Sequence, residues 1–167
     1  HVFVEPSVQA WASGSSVVTD AARWVYINAQ TTVTVAALVW LYLFRNRSFY
    51  FVRNMMVVAM LIALVGYIAF PTAPPRMFPE WGFQDSVANF TGIDPDSAKL
   101  SALVNPYTAV PSMHVAFSLL IGWPLARLVQ WRALKIFWLG YPLLITFVIV
   151  VTANHFLSDA FLGALTA

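Results

Sequence analysis

The feature that most constrains this chain is a succession of long apolar runs from which charge is nearly excluded. Residues 21–44, 50–70, 111–129 and 133–152 form four such runs of about 20 residues, and a fifth opens at Asn154. A helix of that length crosses a hydrocarbon core of ~30 Å. Lipid offers no partners to backbone N–H and C=O groups, so the runs must satisfy those groups internally, as helices. The expected fold is therefore all-α, a polytopic membrane helix bundle in one domain. Composition agrees: 60% of the 167 residues are hydrophobic and only 10% are charged, against roughly 25% charged in soluble domains. Mean hydropathy is +0.72.

Residues 1–20 interleave Val2, Phe3, Val8 and Trp11 with Glu5, Gln9 and Ser13. This stretch is too short and too polar to span, and a helix lying at the membrane interface is expected there. Gly14-Ser15-Ser16 marks a break, with Thr19 or Asp20 as the expected N-cap of the first span. The chain reads as a fragment, with a further span expected before His1. It has no cysteine, so disulfides and thiolate ligands are excluded.

The connections between runs alternate in charge. Arg45, Arg47 and Arg53 follow the first run, and Arg127, Arg132 and Lys135 follow the third. The long connection 71–110 instead mixes Arg76 and Lys99 with Glu80, Asp85, Asp94 and Asp96. The positive-inside rule places the two basic connections in the cytoplasm and 71–110 outside. Followed helix by helix, His114 and His155 then fall on the same outer side. Connections as long as 71–110 are usually functional or partly structured, and short helices are expected over 86–90 and 95–104. Lys99 reads as a solvated loop charge. No nucleic-acid partner is expected, and the sequence leaves the oligomeric state open.

The ionisable groups at the run ends suggest chemistry. His155 and Asp159 are spaced i, i+4, which puts them on one face of a helix. A carboxylate there orients the imidazole and stabilises its cation, leaving the other ring nitrogen as a nucleophile. Alone, the pair reads equally well as a packed interfacial histidine and a helix-start aspartate. With His114 on the same side the functional reading gains, because ionisable groups in spans are costly.

Pro111-Ser112-Met113-His114 opens the third run, and the unpaired N–H groups of such a helix start attract anions. Ser112 either caps that helix or gives its hydroxyl to a phosphate. His114 suits a general acid for a leaving oxygen. In Pro71-Thr-Ala-Pro-Pro-Arg76 a rigid turn presents one arginine for a bidentate phosphate contact, unless Arg76 merely snorkels to headgroups. Asn154, Asn105 and Tyr107 are candidate donors to the same phosphate, or cap and turn residues. His114, His155 and Asp159 would also suit a metal. Arg76 and the helix start favour an oxyanion instead, so no metal and no cofactor is expected. Two histidines bracketing one phosphate should lie roughly 5–8 Å apart, given reacting contacts of about 3–3.5 Å.

Pro111-Ser112-Met113-His114 followed by His155-Phe-Leu-Ser-Asp159 resembles the second and third signature motifs of the PAP2 (type 2 phosphatidic acid phosphatase) superfamily. The wider strings Pro71–Arg76, Asn105–His114 and Ala153-Asn-His155 resemble its inositolphosphotransferase-like branch, which is related to inositol phosphorylceramide synthases. The resemblance covers about residues 20–167. It implies a six-helix membrane fold and metal-independent phosphoryl transfer on a lipid phosphate, at the extracytoplasmic face of the plasma membrane. In that scheme His155, oriented by Asp159, attacks phosphorus, His114 protonates the leaving oxygen, and water or an alcohol such as a polyol resolves the phosphohistidine.

Two cations of the superfamily pattern are missing. Its first-motif lysine falls at Ala69, and Met77 follows Arg76 where the pattern has proline. The Ser-Arg before its third-motif histidine falls at Val148 and Ile149. Two rival readings are a proton-coupled transporter and a non-catalytic membrane scaffold of the same fold. Against a transporter, the His and Asp groups sit at helix ends on one face, and no broken helix is evident.

Overall fold

A computed structural model describes residues 4–86, 105 and 107–167. Helix α1 covers Glu5–Ser13 and α2 covers Ser16–Trp24. A π-helical turn, Val25–Ala29, joins α2 to α3 (Gln30–Phe44), so that Ser16–Phe44 is one helical rod of 29 residues. Helices α4 (Asn46–Ala69), α5 (Met113–Leu128), α6 (Arg132–Val151) and α7 (Leu157–Thr166) follow. Two short 3-10 turns, Pro75–Met77 and Pro79–Trp81, shape the chain beyond α4. No strand occurs among the described residues; a single parallel bridge pairs Thr72 with Thr108. Of the helices expected over 86–90 and 95–104, only Ser86 is among the described residues, and Lys99 also lies outside them.

Among the described residues three helices are long and apolar enough to cross a membrane: Ser16–Phe44, Asn46–Ala69 and Arg132–Val151. Five apolar runs were expected to be spans, and α5 and α7 are apolar but shorter. The 16 residues of α5 reach about 24 Å. Ser112 ahead of it and Val129 behind it are both extended, and they carry the chain onward without helix.

Helix starts also differ from expectation. The first long helix begins at Ser16, ahead of Thr19 and Asp20. Both polar side chains are satisfied inside the helix, so neither needs to start it. Thr19 Oγ1 donates to the Ser16 carbonyl at 3.0 Å, and Asp20 pairs with Arg23 one turn on, at 2.9 Å. Helix α4 begins at Asn46, so Arg47 and Arg53 lie within it, and α7 begins at Leu157 rather than Asn154.

Helix α5 is the centre of the bundle. Leu120, Ile121 and Leu125 pack on Ala37 and Leu41 of α3 and on Val52, Met56 and Ala59 of α4. Val115 packs on Tyr141, Ile145 and Ile149 of α6. Without a hydrophobic drive between helices in lipid, association depends on close packing at small residues. Gly122 meets that need, since a Cβ there would lie 2.5 Å from the Trp138 carbonyl of α6. At Gly163 of α7 a Cβ would overlap the Ser112 carbonyl.

Helix α1, expected as an interfacial helix, is docked through one face. Glu5, Gln9 and Ala12 are buried, and Ala12 joins Ala22, Val148 and Val151 in an apolar cluster. Gln9 Nε2 donates to the Gln84 carbonyl at 2.9 Å, and Glu5 Oε1 accepts the Leu157 N–H at 3.1 Å. The first helix thus closes the start of the last. The basic connections around residues 45 and 130 lie at the end of the bundle opposite His114 and His155.

Candidate active site

The site begins with how α6 ends. The Asn154 N–H donates to the Ile149 carbonyl and the Ala153 N–H to the Val150 carbonyl, both at 3.0 Å. This is a Schellman motif, with Ala153 in the left-handed position at φ 54° where glycine is usual. The reversal turns Asn154 and His155 back toward the bundle axis, and an extended Phe156 leads into α7.

His155 therefore precedes α7 instead of sitting in its first turn. The expectation that His155 and Asp159 share a helical face is corrected accordingly. They meet for a different reason. Asp159 is the third residue of α7, and its Oδ2 reaches back to accept the Phe156 N–H at 2.9 Å, an N-terminal cap. That cap leaves Oδ2 3.6 Å from His155 Nδ1. The nearer partner of Nδ1 is the Ala109 carbonyl at 2.9 Å. A carbonyl can only accept, so Nδ1 carries the proton and Nε2 keeps its lone pair. The ring is fixed by a backbone oxygen, and the buried carboxylate stands just behind it.

His114 is the second residue of α5. Its ring centroid is 5.6 Å from that of His155, with the planes at 60°, inside the expected separation. Tyr26 stacks on the same imidazole at 4.7 Å and 19°. Tyr26 lies in the π-helical turn; such turns recur at functional sites because they re-aim side chains within a helix.

Arg76 is held from three directions. Its backbone N–H donates to the Ala153 carbonyl at 2.9 Å, Nη1 donates to Asn154 Oδ1, and Nε lies 3.5 Å from Asp85 Oδ2. Asn154 Nδ2 turns to the Thr152 carbonyl at 3.1 Å. Asn154 is thus committed to orienting the arginine.

These groups surround a cavity of about 260 Å³, whose wall includes His114, His155, Arg76, Asn154, Tyr26 and Tyr67. Asn105 and Met113 also line it. The Asn105 side chain accepts the Tyr107 N–H at 3.0 Å, shaping a turn. Tyr107 stands off the wall, about half exposed, and its carbonyl accepts the Thr72 N–H at 3.0 Å.

Ser112 does not cap α5 through its side chain. The Oγ is buried with no hydrogen-bond partner among the described residues. Its backbone N–H donates to the Asp159 carbonyl at 3.1 Å, which ties α5 to α7. Ala69 lies exposed at the end of α4, while Ile149 is fully buried in the core. Among the described residues Arg76 is the cationic side chain of the cavity wall. Among the described residues no three His, Asp or Glu side chains gather as a metal site.

Sequence reasoning missed Tyr26, Tyr67, Asp85 and the Ala109 carbonyl. A tyrosine in an apolar helix and a backbone oxygen carry no local signal. The arrangement places two imidazoles and a guanidinium around one small polar space. Over residues 1–167 the chain matches the family model described as the PAP2 superfamily. No curated protein and no solved structure matches it.

Proposed function

The chain belongs to the PAP2 superfamily, and from that membership we propose that it is a membrane phosphatase or phosphotransferase working on a lipid-linked phosphate through a phosphohistidine, without a metal ion. The reading rests on one observation above the others. Two imidazoles lie edge to face on the wall of one cavity, with centroids 5.6 Å apart, and the tautomer of one is set by a carbonyl acceptor.

Nε2 of His155 attacks phosphorus, the N–P bond forms and the P–O bond to the lipid alcohol breaks. His114 gives its proton to the departing oxygen. Water, or an acceptor alcohol such as a polyol, then attacks phosphorus while His114 takes its proton. The N–P bond breaks and His155 is restored. Arg76 holds the equatorial oxygens, helped by the first N–H groups of α5. Hydrolysis and transfer use the same residues; transfer is the reaction of the inositolphosphotransferase-like branch. Asp159 stabilises the cationic character that His155 acquires during the first step.

The basic connections lie at the far end of the bundle, which supports a site on the extracytoplasmic face of the plasma membrane. The histidines and Asp159 cluster at one end instead of marking a path through the bilayer, which supports phosphoryl transfer over a proton relay. The test supplies the purified protein with a panel of lipid phosphates in EDTA, with and without myo-inositol. Phosphate release or a new phosphodiester that persists in EDTA, and is lost in His155→Ala and His114→Ala, is the expected result. Activity that requires a divalent metal would overturn the mechanism, and activity intact in His155→Ala would overturn the nucleophile.

A further inference from the structure

Glu5 and Gln9 lie one turn apart on α1, and both are buried, at 7% and 4% exposure. Buried polar side chains need partners, and these two find theirs on different segments of the site. Glu5 Oε1 accepts the N–H of Leu157, the first residue of α7, at 3.1 Å. Gln9 pairs with Gln84 twice. Its Nε2 donates to the Gln84 carbonyl at 2.9 Å, and its Oε1 accepts the Gln84 N–H at 3.1 Å.

Each partner is close in sequence to a residue of the cavity wall. Leu157 follows His155 by two positions, and the N–H groups of Phe156 and Leu157 go to two carboxylates, Asp159 and Glu5. Both carboxylates thereby sit at the positive end of the α7 dipole. Gln84 precedes Asp85, whose Oδ2 lies 3.5 Å from Arg76 Nε. One face of α1 thus holds the segment that carries His155 and the segment that braces Arg76. These segments also touch each other, since Phe83 meets Phe156 edge on with centroids 5.8 Å apart. Helix α1 is itself anchored, with Ala12 packed against Val148 and Val151 of α6.

We propose that Glu5 and Gln9 are positioning residues for phosphoryl transfer: Glu5 sets His155 against phosphorus through Leu157, and Gln9 sets Arg76 against the phosphate oxygens through Gln84 and Asp85. The proposal rests on the phosphohistidine reading above and adds that α1 fixes the distance between nucleophile and cation. The residue types fit these tasks. Gln84 offers one donor and one acceptor, and a side-chain amide answers both; at Leu157 there is one N–H, and a carboxylate need only accept it.

The experiment measures kcat and KM for dodecyl phosphate in Glu5→Leu and Gln9→Leu. Glu5→Leu should lower kcat by about 10- to 100-fold, the cost of misplacing a reacting group by about 1 Å, with KM little changed. Gln9→Leu should mainly raise KM, by about 2- to 12-fold, the range that one loosened hydrogen bond gives. Glu5→Gln keeps an accepting oxygen and should restore most of the lost kcat. Gln9→Glu loses the donor and should not restore KM. Leu41→Val, buried toward the far end of the bundle, should lower the melting temperature without moving kcat or KM. Parallel losses in both α1 variants, or losses no larger than those of Leu41→Val, would overturn the proposal.

Two measurements do not depend on turnover. Calorimetry with inorganic phosphate should show weaker binding in Gln9→Leu and unchanged binding in Glu5→Leu. The chain has three histidines, so nitrogen-15 histidine spectra can follow His155 Nδ1, identified by its loss in His155→Ala. That resonance should move in Glu5→Leu and stay in place in Gln9→Leu. The reverse pattern, or no difference between the variants, would overturn the proposal. Full activity in His155→Ala, with phosphate binding and the Nδ1 resonance still divided between the two variants, would overturn the phosphohistidine and leave the role of α1 standing.

Discussion

Tyr26 lies flat against His114, with ring centroids 4.7 Å apart and planes 19° from parallel. The two residues come from helices far apart in the chain, and the π-helical turn brings the phenol ring into place. The stack fixes the plane of an imidazole whose centroid lies 5.6 Å from that of His155. Stacked aromatic pairs contribute about 0.5–1.5 kcal/mol beyond area burial, equivalent to roughly 2- to 12-fold in rate. Tyr26→Leu should lower kcat by about that factor with little change in KM. Tyr26→Phe keeps the ring and should keep kcat, and any rise in KM would then report a hydroxyl contact to the phosphate. Steady-state kinetics on both variants, with circular dichroism to confirm folding, decides this.

Asp159 serves His155 less directly than a triad aspartate. Where the carboxylate alone sets the tautomer, its amide replacement costs ~10⁴ in kcat. Here the Ala109 carbonyl at 2.9 Å already sets the tautomer, and the carboxylate stands at 3.6 Å. Asp159→Asn should therefore retain more activity, a loss on the order of 10- to 100-fold. Asp159→Ala also removes the cap on Phe156 and should lower stability by about 0.5–2 kcal/mol, read by thermal melting. A 10⁴-fold loss in Asp159→Asn would show that the carbonyl does not hold the ring.

Asn154 and Arg76 should behave as one unit. The asparagine oxygen accepts from the guanidinium, so Asn154→Ala loosens the arginine without removing it. Both Arg76→Ala and Asn154→Ala should raise KM for the phosphate substrate and lower kcat. The double variant should lose less than the product of the two single losses, as is usual for groups in contact. Multiplicative losses would mean that the two act separately.

Gly163 is where α7 passes the start of α5. A Cβ there would overlap the Ser112 carbonyl, and Ser112 is bonded to Asp159. Gly163→Ala should destabilise by about 1–3 kcal/mol, the usual cost of overpacking. It should also reduce activity, since it pushes α5, which carries His114, away from α7, whose start follows His155. Gly140→Ala meets nothing within 4 Å and should be neutral or raise stability by up to about 1 kcal/mol. Melting temperatures and turnover of the two variants provide the comparison.

The sequence alone determined the all-helical membrane character, the positions of the apolar runs to within a few residues, and the residues most worth watching: His114, His155, Asp159 and Arg76. Those properties are local. Twenty apolar residues in lipid have few options besides helix, and an ionisable group at the end of such a run stands out against its neighbours. What the residues do to one another was decided by tertiary structure. The helical-face argument for His155 and Asp159 failed, because the Schellman reversal keeps His155 out of the helix and the cap brings the carboxylate back. The acceptor on Nδ1 is a backbone oxygen 46 positions away in sequence, and no residue type marks a carbonyl in advance. The stack of Tyr26 on His114 and the tie from Asn154 to Arg76 both depend on which helices lie side by side. In lipid that choice is made by close packing at small residues such as Gly122 and Gly163, a property of two surfaces together that neither segment carries alone.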